Sequence, residues 1–70
     1  MNKCYKLKRE DGEDLGTFDR RDEAQRFAED AAREDGYSLR WTSTFGSTHG
    51  MPSTSGRGVY AYTITDADCE

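Results

Sequence analysis

Between Asp19 and Gly36 the small and apolar residues are Ala24, Phe27, Ala28, Ala31 and Ala32. Their i, i+3, i+4, i+7, i+8 spacing makes one narrow stripe on a helix, and almost every position between them is charged. Asp19 is the expected N-cap, because a carboxylate there accepts from first-turn amides and suits the positive end of the dipole. Gly36 is the expected left-handed stop. An alanine stripe lets a helix approach a sheet closely but buries little area, so Phe27 is expected to be its main anchor.

The rest of the pattern has period 2. Residues Cys4 to Glu10 alternate, with Tyr5 and Leu7 on one side and Lys6 and Lys8 on the other. Asp11-Gly12 signals a two-residue hairpin turn of type I′. That turn sets Tyr5 opposite Phe18, Leu7 opposite Gly16 and Arg9 opposite Asp14. It also sets Glu10 opposite Glu13, a like-charge pair. A longer, bulged loop would relieve that repulsion and shift the register. Tyr37 to Phe45 puts Tyr37, Leu39, Trp41 and Phe45 on one face and Ser38, Arg40, Thr42 and Thr44 on the other. Residues 46–58, GSTHGMPSTSGRG, read as a long Gly/Ser/Thr-rich loop holding the one proline. Val59 to Thr65 is the expected last strand, with Tyr60, Tyr62 and Ile64 on one face.

The pattern predicts a single α+β domain over residues 1–70, in the order ββαββ. One helix packs on one face of a four-stranded antiparallel sheet. A right-handed crossover through the helix favours the strand order second, first, third, fourth. The acidic tail, 66–70, is expected to fray. The back of the sheet is then bare.

Seventy residues bury little surface, so the domain is marginally stable by itself. No apolar run is long enough to span a membrane, and the first residues lack the apolar stretch of a signal peptide, which points to the cytoplasm. On that reading Cys4 and Cys69 stay free thiols, although a disulfide between them is possible. Two cysteines and one histidine cannot complete a four-ligand zinc site without carboxylates or a second chain. No cofactor or metal motif is present.

The net charge of −4 disfavours a generic nucleic-acid binder. Its distribution is segregated: a basic first strand, an acidic helix segment and an acidic tail. Three surfaces follow. The bare sheet face carries Lys6, Lys8 and Arg40 and suits an acidic partner or a nucleic-acid backbone. The 46–58 loop carries His49, a possible general base, Met51, and Arg57, a possible phosphate clamp. The helix face carries Glu29, Asp30 and Arg33 as a mixed-charge contact. Carboxylates on an exposed helix have nothing to raise a pKa, so acid/base catalysis has no support there. The aromatics sort with the helix side of the sheet, which removes the stacking platform of single-strand RNA readers.

The helix from Asp19, the following SLRWTS strand, the loop and the short final strand form a layout. That layout resembles small phage and mobile-element inhibitors of the anti-CRISPR type, in which one helix packs on a small antiparallel sheet. The resemblance covers most of the chain but rests on no specific motif. It implies a non-enzymatic protein that occupies a surface of a host protein or ribonucleoprotein complex, without sequence-specific nucleic-acid binding. The fragment GSTH is similar to the Gly-Ser-His of small mRNA-cleaving toxins, with Thr48 breaking the spacing. It implies an alternative, an RNA-acting enzyme using His49. A regulatory homodimer pairing through an exposed edge strand is a third reading.

Overall fold

The computed structural model describes residues 2–69. The elements are β1 (Asn2–Arg9), β2 (Asp14–Phe18), α1 (Arg21–Glu34), β3 (Leu39–Thr44), β4 (Ser47–Pro52) and β5 (Tyr62–Cys69). All five strands form one antiparallel sheet in the order β2-β1-β5-β4-β3. The domain is α+β with a single helix, but the expected four-stranded ββαββ sheet and its strand order are overturned.

The extra strand lies inside the stretch that reads as a loop. After Thr44, Phe45 and Gly46 form a tight turn, with Gly46 at φ 71°, and the chain runs straight back as β4. Ser, Thr, Gly and Pro conceal this strand from any reading based on β-propensity. Its inward positions are nonetheless specific. Thr48 is buried between Ile64 and Ser43, and Gly50 pairs with Trp41. A Cβ at Gly50 would sit 2.7 Å from the Trp41 ring, so the indole packs where a side chain would be.

The order changes because β5, not the strand after the helix, is the best partner for β1. Every residue of β1 from Asn2 to Arg9 pairs with β5. Leu7 lies directly opposite Ile64, and Tyr62 is opposite Arg9. Placing Tyr62 and Ile64 in the middle of the sheet buries both almost completely. The strand after the helix, with only Leu39 and Trp41 to shelter, goes to the far edge. Tail residues 66–69 belong to β5; Glu70 lies outside the described residues.

The first hairpin follows the expected register in its inner half, with Tyr5 opposite Phe18 and Leu7 opposite Gly16. It slips by one residue between Leu7 and Lys8, so Lys8 meets Asp14 and Leu15 bulges. Arg9 N–H donates to the Glu13 carbonyl at 2.8 Å, which makes the loop three residues long with Gly12 left-handed at φ 97°. Glu10 therefore no longer faces Glu13. Its carboxylate accepts the Ala61 amide instead, at 2.9 Å. Arg9 donates to the Asp11 carboxylate at 2.7 and 3.0 Å and stacks over Tyr60 at 4.5 Å. That contact, rather than an Arg9–Asp14 pair, holds the Asp11 carboxyl down at about 2.

The helix starts one residue later than its sequence signature. Arg20 occupies the N-cap position in extended conformation and makes no side-chain cap, so Asp19 is not the cap. The C-terminal stop is as expected. Gly36 is left-handed at φ 88°, and the Tyr37 and Gly36 amides donate back to Ala32 and Arg33, both at 3.0 Å. The buried stripe is Ala24, Ala28 and Ala32, all fully covered, and α1 packs on β1, β2 and β5. Phe27 is not the anchor: it is 46 % exposed and leans on Phe18 with ring centroids 5.4 Å apart. Leu7, Tyr62 and Ile64 supply the volume that the alanines lack.

The Tyr37 hydroxyl clamps the segment before β5. It donates to the Tyr60 carbonyl at 3.1 Å and accepts the Tyr60 amide at 3.0 Å. At the ends of the sheet, Cys4 and Cys69 lie on neighbouring strands with Cα atoms 5.3 Å apart and are joined as a disulfide. The expectation of free thiols is replaced by a cross-strand link between the two ends of the chain.

In urea denaturation, Leu7→Ala lowers the unfolding free energy by about 2–5 kcal/mol, whereas Phe27→Ala costs about 1 kcal/mol. Gly50→Ala costs about 1–3 kcal/mol because the methyl group pushes the indole off the sheet and away from its hydrogen bond to Glu29. Equal losses for Leu7→Ala and Phe27→Ala would contradict this core. Burial pushes the Tyr62 phenol up from 10.0 to about 12. The unfolded chain therefore loses that proton first. Stability from Tyr62 is complete below pH 10 and declines as pH rises from 10 to about 12. Thermal melts across that window should fall more steeply for the native chain than for Tyr62→Phe.

Candidate functional site: the open face of the sheet

Strand alternation sends Leu7, Tyr62 and Ile64 toward α1 and their neighbours to the other side. The pairing of the strands then fixes the membership of the far face. β1 contributes Cys4, Lys6 and Lys8, β2 contributes Asp14 and Thr17, and β5 contributes Thr63 and Thr65. β4 contributes Ser47, His49 and Met51, and β3 contributes Arg40, Thr42 and Thr44. No helix covers this face among the described residues. Threonine suits it, since its branched side chain packs on a pleat while the hydroxyl stays in water.

The face carries the cations Lys6, Lys8 and Arg40, with Asp14 and Asp19 along its β2 edge, so cations outnumber acids there in a chain whose net charge is negative. Lys6 lies 3.6 Å from Asp14, which sits at the β2 edge. The Asp14 carboxyl is held below its ordinary value, first by the Gly16 amide and then by Lys6 and Lys8. Among the described residues, Lys8 and Arg40 have no carboxylate within 4.0 Å. They lie at opposite sides of a threonine field, Lys8 across from Asp14 on β2 and Arg40 on the edge strand β3. Arg40 also shares a shallow cleft of about 620 Å³ with Ser38, Leu39, Met51, Pro52 and Ser53.

His49 sits on this face and not in a loop. It is half-buried on β4, opposite Thr42 on one side and Thr63 on the other. Its Nε2 is 3.1 Å from the Ser47 hydroxyl and its Nδ1 is 3.5 Å from that of Thr63. Hydroxyls, not a carboxylate, orient the ring. A catalytic histidine is ordinarily held by a stronger acceptor that raises its basicity. Two surfaces that sequence separates, the Lys6/Lys8/Arg40 set and His49, thus merge into one.

The remaining expected site residues lie elsewhere. Arg57 stays in the irregular segment between β4 and β5, flanked by Gly56 and Gly58. Glu29, Asp30 and Arg33 are on α1, across the sheet from the basic face. Glu29 is engaged internally, accepting the Trp41 indole N–H at 2.9 Å and strapping β3 to the helix. Asp30 borders a shallow hollow with Phe18, Glu23, Arg26 and Phe27. What sequence reasoning missed is that Ser47, His49 and Met51 lie on the open face, as residues of β4 rather than of a loop. The alternation of STHGMP, with Thr48 and Gly50 inward, was the signal for β4.

Asp19 belongs with this face as well. Continuing the β1–β2 register by one step places it across from Cys4. The Asp19 carboxylate Oδ1 is 3.8 Å from Cys4 Sγ.

Compared with protein-family models, curated proteins and solved structures, the chain matches none. No helix among the described residues is long and apolar enough to cross a membrane.

Proposed function

We propose that this chain is a non-enzymatic binding module. It docks its open sheet face on an acidic surface of a host nucleic-acid-processing complex and inhibits by occupying that surface. The observation that carries the reading is the uncovered, threonine-rich face bearing Lys6, Lys8, Arg40 and His49 on a chain with a net charge of −4. A positive face on a negative molecule orients the encounter: the helix side is repelled by an acidic partner while the sheet side is drawn in. A flat, hydroxyl-lined surface gives many adaptable hydrogen bonds and no enclosed pocket for a small substrate. The lack of exposed aromatics on this face argues against base stacking, and so for a protein rather than a single-stranded nucleic acid as the partner. The layout resemblance to phage inhibitors of the anti-CRISPR type points the same way. On this reading the protein works in the cytoplasm of the host cell, and Arg57 and the helix residues Asp30 and Arg33 lie outside the contact.

Affinity capture from host lysate should recover one dominant complex. Lys8→Glu with Arg40→Glu should weaken that capture by about 2 kcal/mol or more, roughly thirtyfold, at low salt, and the gap to the native chain should narrow as salt screens these charges. Glu29→Gln with Asp30→Lys should leave capture unchanged. The reading fails if only the helix variant releases the partner. It also fails if the purified chain cleaves RNA and His49→Ala abolishes the cleavage.

A further inference from the structure

We infer that Cys4, Cys69 and Asp19 form a binding site for a thiophilic divalent cation such as Zn²⁺ when the cysteines are reduced. Their ligand atoms all lie within 4.8 Å of one another. In a tetrahedral zinc site, metal–sulfur bonds of about 2.3 Å and metal–oxygen bonds of about 2.0 Å put neighbouring ligand atoms roughly 3.5–3.8 Å apart. The Cys4 Sγ to Asp19 Oδ1 distance of 3.8 Å already has that value. The two cysteines project from adjacent strands with Cα atoms 5.3 Å apart, near enough for side-chain rotation to open the sulfurs to the same spacing.

A second observation concerns Asp19. It lies one residue before the N-cap, Arg20, and no side chain caps the helix. The Asp19 carboxylate is turned to the sulfurs instead. Burial is graded as a metal site needs. Cys4 is almost wholly covered, Cys69 is half-buried, and Asp19 is exposed, leaving an approach and one position for water.

The disulfide and the metal are alternative clasps on the same strand pair. An external dithiol opens the disulfide by supplying two electrons and two protons, and is itself oxidised to its own disulfide. Cation binding then displaces the two thiol protons, leaving two thiolates and one carboxylate as ligands. In an oxidising compartment the ends of β1 and β5 are held covalently. In a reducing one the cation would hold them.

The test is Co²⁺ titration of the full chain, reduced with a phosphine and kept anaerobic, followed by displacement with Zn²⁺. Far-ultraviolet circular dichroism is recorded at each point. One equivalent of Co²⁺ should produce thiolate-to-cobalt charge-transfer absorption, which Zn²⁺ abolishes and prior oxidation of the cysteines prevents. Losing an outer-shell partner alone typically weakens a metal site roughly 10–100-fold. Asp19→Asn removes a direct ligand at an exposed position, so it should weaken binding by at least that much while leaving the dichroism spectrum intact. Three results would overturn the inference: no saturable thiolate band in the reduced native chain, an unchanged affinity in Asp19→Asn, or a reduced chain that stays unfolded with Co²⁺ in excess.

Discussion

Everything in this domain depends on how closely an alanine-faced helix can settle on the β1–β5 ladder. Ala24, Ala28 and Ala32 present almost no side chain, so the helix backbone comes down onto Leu7, Ile64 and Tyr62. A small domain has little apolar area to bury, and close approach is how it excludes water with few large residues. The requirement propagates outward. It places β5 beside β1, because only those two strands carry the residues that fill the space under the alanines. It sends β3 and β4 beyond the helix, where Trp41 must shelter the sheet by lying over Gly50 and hydrogen-bonding Glu29.

The same constraint explains the charge layout. A helix with so small an apolar stripe carries charge on the rest of its circumference, and there acids dominate. One helix can cover only one face of the sheet, so the other face meets water and takes polar residues. Lysines on the uncovered side of β1 and acids on α1 are therefore separated by the full thickness of the molecule. The dipolar surface is a consequence of the packing, and it is also the feature on which the proposed docking rests.

Much of this was legible in the sequence where a period was strong. The pairing of Tyr5 with Phe18 and Leu7 with Gly16 came from the turn and the alternation together. Gly36 as helix stop came from its position after the last periodic residue. Four features were hidden, each for its own reason. β4 was hidden because Ser, Thr, Gly and Pro are loop residues by propensity, and here long-range packing under Trp41 and beside Ile64 overrides it. Phe27 was misplaced because a rotation of the helix by part of a turn exchanges it for Ala24 as the most buried residue, and alanine and phenylalanine share the stripe. Asp19 was misassigned because a cap signature states what a side chain can do locally and says nothing of the two sulfurs that β1 and β5 bring beside it. The merging of His49 with Lys6, Lys8 and Arg40 was equally invisible, since it needs both the fifth strand and its register.

The chain's two ends carry the last step of the argument. β5 is central, yet its final residues, Asp66, Asp68 and Cys69, bring little apolar surface to the ladder. Hydrogen bonds to β1 alone contribute weakly in water, since each exchanges for one made to solvent. A link between Cys4 and Cys69 acts at the point where that pairing is weakest. With a sequence separation of 65 residues, it also removes far more freedom from the unfolded chain than a local contact would. Because Asp14 and Asp19 lie along the β2 edge of the basic face, and Lys6 and Cys4 beside them, order at that end bears directly on the shape the open face presents. Clasp and docking face are thus parts of one surface, coupled through β1.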